Sequence, residues 1–191
     1  MSAAPLAPIT DRDSLLAAVR AGWRPKYVMF WGHEPDAGAA VGKHCLSQWW
    51  GARFTVGEHS YMTAEHFMMA EKVRLFGDAA TCKRIVAASS PAAAKRLGRE
   101  VAGFDEATWA AARFAIVVAG NVAKFGQNPA LADFLRGTGD RVLVEASPTD
   151  RIWGIGLAAD DASAEAPEHW RGLNLLGFAL MEARRALAGR A

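Results

Sequence analysis

Residues 63–76 read TAEHFMMAEKVRLF, a helical pattern that carries two charges on its apolar face. At about 100° per residue, the apolar stripe consists of Met68, Met69, Leu75 and Phe76. Glu65 and Lys72 lie roughly 20° apart within that stripe. An uncompensated buried charge costs several kcal/mol, so these two residues pair with each other, reach solvent by a tilt of the helix, or serve a site.

Composition excludes several classes of protein. The 191 residues fit one domain, and 22 basic against 20 acidic side chains leave a net charge of +2, too weak a field to attract nucleic acid by charge alone. Cys45 and Cys82 form no CxxC pair, and the five histidines show no zinc-like spacing with them, so we expect no metal and a reducing compartment. The N-terminus lacks a signal-peptide pattern, and the longest apolar run, residues 114–119, is too short for a bilayer. We expect a cytoplasmic protein without membrane contact.

Capping and turn residues predict a mostly helical α+β domain with a small strand component. Helices are predicted from Asp13 or Ser14 to Arg20, Thr63 to Phe76, Asp78 to Ala88, Ser90 to Gly98, Asp105 to Phe125, Asn128 to Gly137, and Asn174 to Gly189. Strands are predicted at residues 27–31 and 141–146, with a hairpin over 53–62. The helix from Asp105 is nearly apolar all round in its middle, which predicts the central core helix. Residues 158–168 are predicted as a mobile surface excursion.

The long helix carries a possible anion site. Trp109, Arg113, Gly120 and Lys124 fall in one stripe roughly 80° wide, so two cations flank a position without a side chain. Two interpretations remain open: a solvent face with extended basic side chains, or a phosphate seat in which Gly120 makes room.

The loop after the last predicted strand is the second candidate region. In Trp153-Gly154, an aromatic ring stands beside flexible backbone, a combination that suits stacking on a nucleobase. Asp150 and Glu145 are also compatible with turn or surface carboxylates. Asn174 is either a helix cap or a further polar group of the site.

Nine short motifs in a fixed order give these residues a common context. They are residues 30–32 (FWG), 46–49 (LSQW), 54–56 (FTV), 63–72 (TAEHFMMAEK), 90–99 (SPAAAKRLGR), 123–129 (AKFGQNP), 143–150 (LVEASPTD), 153–156 (WGIG) and 172–177 (GLNLLG). This ordered set resembles the NADAR superfamily, the NAD- and ADP-ribose-associated proteins, over about residues 27–187.

The resemblance implies a single compact, mainly helical N-glycosidase. It divides the chain into an N-terminal extension with a short helix, residues 1–26, and a NADAR-like catalytic domain, residues 27–191. Members of the superfamily hydrolyse phosphorylated ribosylaminopyrimidines of early riboflavin synthesis, and others remove ADP-ribose from guanine bases. By motif matching, the implied active-site positions are Glu65, Trp109, Asp150 and Trp153, with Lys72, Lys124 and Asn174 lining the pocket.

These residues lead to a mechanistic hypothesis that needs no cofactor. Breaking a ribosyl C–N bond builds positive charge on the sugar, which the Glu65 carboxylate stabilises while it activates water. Lys72 keeps Glu65 ionised or forms an imine with the opened sugar. Asp150 completes the catalytic set, while substrate binding is assigned to Trp109, Arg113, Lys124, Trp153, Gly154 and Asn174, with phosphate on Arg113 and Lys124.

Two other partners remain possible. One is an ADP-ribosylated guanine, in which case nucleic acid takes part only as the carrier of the modified base. The other is ADP-ribose bound by a non-catalytic sensor. The position of Glu65 disfavours the sensor, because a pure anion binder gains nothing from a carboxylate among the phosphates.

Overall fold

The computed structural model describes residues 7–33 and 41–189, and these residues form a mainly helical α+β fold, as expected. Its helices are α1 (Arg12–Arg20), α2 (Ala64–Leu75), α3 (Ala79–Val86), α4 (Pro91–Gly98), α5 (Glu106–Gly126), α6 (Pro129–Gly137) and α7 (Leu175–Ala188). Its strands are β1 (Tyr27–Phe30), β2 (Phe54–Val56), β3 (His59–Tyr61) and β4 (Val142–Glu145). Short 3-10 helices cover Lys43–Leu46 and Pro167–His169.

Helix α2 occupies the centre of the core and packs against α3, α4 and α5. It begins at Thr63, whose hydroxyl accepts a hydrogen bond from the backbone N–H of His66, as its sequence position predicts. Residues 64–70 are all buried, so this helix has no solvent face over its first two turns. The predicted apolar stripe is wrong at its far end, where Leu75 is 40% exposed.

Helix α5 is predicted as the central core helix, and the structure leaves part of its surface exposed. It packs between α2 and α7, but Ala110, Ala111, Ala115 and Ala119 are exposed. Small apolar side chains carry little area, so they tolerate exposure that leucine or phenylalanine would not. The contact with α2 is close, because a Cβ at Gly120 would lie 2.6 Å from the ring of Phe67.

The strands form two separate pairs. Strands β1 and β4 run parallel with Phe30 opposite Glu145, although they lie far apart in the sequence. Strands β2 and β3 form the predicted antiparallel hairpin. Helix α7 crosses β4 at Gly177, where a Cβ would lie 2.1 Å from the carbonyl oxygen of Leu143.

Three local predictions are corrected. Helix α1 is capped by Asp11, whose side chain accepts from the N–H of Ser14, and not by Asp13 or Ser14. Asn174 precedes α7 in the left-handed conformation, with φ 55°, and its side chain does not cap the helix. In the predicted surface excursion at residues 158–168, Ala164 is buried and not exposed, and its carbonyl oxygen accepts a hydrogen bond of 2.8 Å from the indole of Trp170. The mobility of this segment stays a prediction.

The N-terminal helix packs against the rest of the fold. Leu15 is fully buried in the common core, and the guanidinium of Arg185 on α7 donates to the carbonyl oxygen of Ile9 at 3.3 Å. The boundary between residues 26 and 27 stays a prediction. Across the described part of the chain, none of the helices combines the length and apolarity needed to cross a membrane.

Gly177 tests the contact between α7 and β4. We expect Gly177→Ala to lower the free energy of unfolding by about 2 kcal/mol or more, because its methyl group would meet backbone that cannot rotate away. The matched control is Gly137→Ala at the end of α6, where a Cβ meets nothing within 4 Å. Urea unfolding of both variants measures the difference, and equal stabilities would contradict the close contact.

Candidate active site

A cleft of about 280 Å³ opens between the start of α2, helix α4, the start of α5 and the loop after β4. Its functional side chains fall into three chemical groups. The carboxyl groups belong to Glu65, Glu145 and Asp150, the cations to Lys72, Lys95 and Arg99, and the indoles to Trp49, Trp109 and Trp153. The fold thus brings together five of the predicted site residues, namely Glu65, Lys72, Trp109, Asp150 and Trp153.

Glu65 lies in the first turn of α2 and is only 3% exposed. Its backbone N–H donates to the carbonyl oxygen of Gln48 at 2.9 Å, and its side chain is hydrogen-bonded to Trp49. One carboxylate oxygen, Oε1, is buried and has no hydrogen-bond partner among the described residues. Helix α2 therefore places in the cleft a carboxyl group that is almost inaccessible to solvent.

Opposing electrostatic effects set the protonation of Glu65. Burial, the largest effect, raises its pKa from 4.5 to about 7, and the charge of Asp150 acts in the same direction. Lys95, the hydrogen bond from Trp49, and Arg99 lower it. The carboxyl group therefore titrates near neutral pH, the range in which a group can take up and release a proton during turnover.

The predicted partnership of Lys72 with Glu65 is wrong, although both side chains line the cleft. The Lys72 ammonium donates to the carbonyl oxygen of Gly98 at 2.9 Å and lies 4.4 Å from the ring centre of Phe104. Burial lowers the pKa of Lys72, whose charged neighbours are Glu106 and Arg99. Angular position on one helix could not reveal that the Lys72 ammonium would reach a carbonyl oxygen of α4.

The cations that act on Glu65 come from α4 and from its C-cap residue, Arg99. Lys95 and Arg99 are four residues apart and both line the cleft, and the Lys95 ammonium lies 5.8 Å from the ring centre of Trp49. Residues 90–99 are one of the nine sequence motifs, but neither Lys95 nor Arg99 is among the predicted site residues. A usable signal existed, because like charges at this spacing destabilise a helix unless an anion lies nearby.

The predicted phosphate seat on α5 is also wrong. The Lys124 ammonium is fully buried and donates to the carbonyl oxygens of Cys45 and Ser47, at 2.6 and 2.8 Å. Burial lowers its pKa to about 7. Arg113 pairs with Glu106 at 3.3 Å, and the space beside Gly120 is filled by Phe67. Neither cation lines the cleft.

The loop after β4 is held in place by Asp150. The Oδ1 of Asp150 accepts hydrogen bonds from the backbone N–H groups of Ile152 and Trp153, both at 2.8 Å. These bonds hold the backbone that carries the Trp153 indole into the cleft. Gly154 does not face the cleft: a Cβ there would lie 2.8 Å from the carbonyl oxygen of Glu145, so its small size serves a contact with β4.

Asn174 acts inside the protein and not at the cleft. Its Oδ1 accepts from the N–H of Glu145, and its Nδ2 donates to the carbonyl oxygen of Leu143, both at 2.9 Å. The amide thus fixes the end of β4. Its assignment as a substrate-binding residue is therefore replaced by a positioning role.

Glu145 is the carboxyl group that sequence reasoning treated as a turn or surface residue. Its Oε2 is buried and lacks a hydrogen-bond partner among residues 7–33 and 41–189. Burial raises its pKa from 4.5 to about 8, with Asp150 and Glu65 raising it further and Lys95 lowering it. Glu145 lies at the carboxyl end of a buried strand, and ligands often bind at that end of the strands in a sheet. This position was the sequence signal that could have identified Glu145 as a site residue.

The carboxyl groups of the cleft raise the question of a bound metal ion. Within the described ranges, no three His, Cys, Asp or Glu side chains are grouped so that they could hold a metal ion. What the cleft offers is carboxyl groups near their titration points, cations and flat aromatic rings.

Comparison with known proteins gives one family match and several relatives. A family model described as the NADAR domain matches residues 29–188. N-glycosidase R617 of Acanthamoeba polyphaga mimivirus is 43% identical over 164 residues, which cover 83% of this chain and 95% of that protein. Riboflavin biosynthesis protein PYRR, chloroplastic, of Zea mays is 33% identical over 137 residues, covering 68% of this chain and 20% of that protein.

The fold also matches a solved structure. The NMR structure of the Escherichia coli protein YbiA superposes with a TM-score of 0.69 and 26% identity, covering 88% of each chain. In sequence, N-glycosidase YbiA of Escherichia coli is 32% identical over 129 residues, 68% of this chain and 72% of that protein.

The buried Glu65 carboxyl group predicts a pH-dependent stability. Its folded-state pKa of about 7 exceeds the ordinary 4.5, so the folded state binds more protons between these values, and the free energy of unfolding falls as pH rises through this window. We expect Glu65→Gln, which never ionises, to be more stable than the wild type at pH 8 by roughly 3 kcal/mol, and the gain to shrink towards pH 5. Urea unfolding at both pH values measures this. The exposed residue Glu58, changed to Gln, is the control, and an equal gain at both pH values would contradict the prediction.

Proposed function

Because the chain belongs to the NADAR family, we propose that its cleft hydrolyses the N-glycosidic bond of a phosphorylated N-riboside, with a ribosylaminopyrimidine phosphate of early riboflavin synthesis as the substrate. The relatives R617 and YbiA are named N-glycosidases, which supports this reaction class. The relative PYRR is named a riboflavin biosynthesis protein, which supports the choice of substrate.

The observation that carries this proposal is the Glu65 carboxyl group. It is 3% exposed, has one oxygen without a hydrogen-bond partner among the described residues, and lies in a cleft lined by three indoles. Cleavage of a ribosyl C–N bond leaves the anomeric carbon electron-poor, and a fixed carboxylate in a site of low dielectric stabilises that charge strongly. The same carboxylate can remove a proton from the attacking water.

The cations of α4 take over the role that was first given to α5. Lys95 and Arg99 line the cleft beside Glu65, whereas Lys124 is committed to backbone carbonyl groups. A phosphate bound between them would neutralise two like charges on one helix face. Their positive charge also favours the ionised form of Glu65.

The remaining cleft residues bind the rest of the substrate. Trp153 and Trp109 present indoles that can stack on the base. Lys72 holds its amine in the cleft with a lowered pKa, so the imine with an opened sugar remains an alternative to a purely electrostatic role.

A second candidate reaction is the removal of ADP-ribose from a guanine base. The presence of three cations and three indoles in one cleft favours it, since a diphosphate and two bases would occupy more of these groups than one phosphate and one base. The sensor hypothesis is disfavoured, because a buried carboxylate weakens the binding of phosphate without giving a binder any benefit.

The reaction is tested by product analysis. The wild type, incubated with a ribosylaminopyrimidine phosphate and separately with an ADP-ribosylated guanine nucleotide, is expected to release free base and free sugar from the first. Glu65→Gln is expected to lower kcat by 100-fold or more while ligand-induced shifts of Tm persist, because the amide keeps the shape and loses the charge. Glu58→Gln is the control. Release from the guanine substrate alone would select the second reaction, and binding without release would select the sensor.

The phosphate site is tested by pairs of substrates with and without phosphate. Lys95→Met and Arg99→Met are each expected to reduce the preference in kcat/KM for the phosphorylated substrate about tenfold, the order expected for a charge-assisted hydrogen bond. Arg113→Met, which lies outside the cleft, is the matched control. An unchanged preference in both α4 variants would place the phosphate elsewhere.

A further inference from the structure

Glu145 is held in the cleft by backbone contacts on both sides. Its N–H donates to the side-chain oxygen of Asn174, and its carbonyl oxygen accepts from the N–H of Ile155, both at 2.9 Å. Its Cα pairs in register with Phe30 of the neighbouring strand. Three separate parts of the chain thus fix the backbone of Glu145. A carboxylate on the surface would not need such a fixed position.

The side chain of Glu145 lines the cleft, and its Oε2 is buried without a hydrogen-bond partner in the described part of the chain. The charged groups that face it are Asp150 from the following loop, Glu65 from α2 and Lys95 from α4. If ionised, it would be a third negative charge facing few cations. Burial, Asp150 and Glu65 raise its pKa to about 8 against the lowering effect of Lys95, so it carries a proton at neutral pH while Glu65 is partly ionised.

The proposed reaction requires both forms of carboxyl group. A nitrogen base leaves poorly as an anion, so the departing nitrogen needs a proton as the C–N bond breaks. Glu65 in its ionised form cannot supply it. The Oδ1 of Asp150 is occupied by two backbone N–H groups, and the ammonium of Lys72 donates to the carbonyl oxygen of Gly98.

We infer that Glu145 is a catalytic residue, the acid that protonates the leaving nitrogen, while Glu65 serves as the base for the attacking water. This inference rests on the proposed glycosidase function. The two roles match the general pattern in which two carboxyl groups of a glycosidase differ in protonation because their surroundings differ.

The protons balance over one turnover. The C–N bond breaks, its electron pair goes to the nitrogen, and the Glu145 proton follows to that nitrogen. Water forms the new C–O bond and gives its proton to Glu65. Glu65 then ends protonated and Glu145 ionised, and return of one proton from Glu65 to Glu145 restores the starting state. The products are the free sugar and the free amine.

The decisive experiment varies the leaving group. Ribosyl 5-phosphates of aniline and of 4-nitroaniline share the sugar and the phosphate, but the nitroaniline leaves with far less need for a proton. Amine release above the buffer rate is measured for the wild type and for Glu145→Gln. We expect the variant to lose 100-fold or more with the aniline compound and less than tenfold with the nitroaniline compound.

Two further variants separate this role from a structural one. Glu145→Asp keeps the acid but shortens it, so it should lose less than Glu145→Gln with the aniline compound and change little with the nitroaniline compound. Glu58→Gln, at an exposed hairpin turn, should change neither. The wild-type kcat should also fall as pH rises through about 8, and this alkaline fall should be absent in Glu145→Gln.

Each result has one meaning. Equal losses on both substrates in Glu145→Gln, or failure of that variant to fold together with equal losses on both substrates in Glu145→Asp, would overturn the acid role. A wild type that releases amine from neither these compounds nor the aminopyrimidine substrate would overturn the proposed function itself. Normal wild-type turnover with an unchanged leaving-group dependence in Glu145→Gln would overturn only the inference about Glu145.

Discussion

The removal of the Glu65 carboxyl group from water is the constraint on which the cleft depends. A carboxylate in a medium of low dielectric is unstable unless other groups compensate it. Trp49 gives a hydrogen bond, and α4 gives the positive charges of Lys95 and Arg99. The compensation is incomplete, which leaves the pKa near neutrality. A fully paired carboxylate would be more stable and less able to exchange a proton.

The cations of this protein show that burial alone does not identify a binding residue. Lys124 is the most buried of them, yet its ammonium is satisfied by carbonyl oxygens and holds the chain just before Gln48 and Trp49. Gln48 and Trp49 both contact Glu65, so Lys124 affects the site indirectly, through the position of these two residues. Lys95 differs because it lines the cleft and faces the carboxyl groups.

Close backbone contacts fix the position of Glu145, the carboxyl group that we infer to be the acid. Gly177 lets α7 approach β4, and Asn174 at the start of that helix bonds to the backbone of Glu145. Gly154 brings the loop after β4 against the same strand. A larger side chain at either glycine would meet a backbone carbonyl oxygen first, and at Gly177 it would also meet the Asn174 amide, so the position of Glu145 is sensitive to both.

The sequence by itself determined the helices, because their signals are local. Thr63, Ser90-Pro91 and Asp105 mark helix starts through hydrogen bonds or backbone angles within four residues, and each start was found where it was predicted. The sequence also predicted Glu65, Asp150 and Trp153 from motifs in a fixed order, and Trp109 from the long helix and the family resemblance. All four line the cleft.

Only the tertiary structure decided which charges meet. Lys72 shares a helix face with Glu65, yet it bonds to Gly98, while Lys95 and Arg99 approach Glu65 from another helix. The Lys124 ammonium lies inside the protein because carbonyl oxygens of Cys45 and Ser47 accept its hydrogen bonds. Glu145 is buried beside Glu65 and Lys95, which lie on other parts of the chain. Periodicity fixes the direction of a side chain about its own helix, but its partners depend on how helices and strands pack.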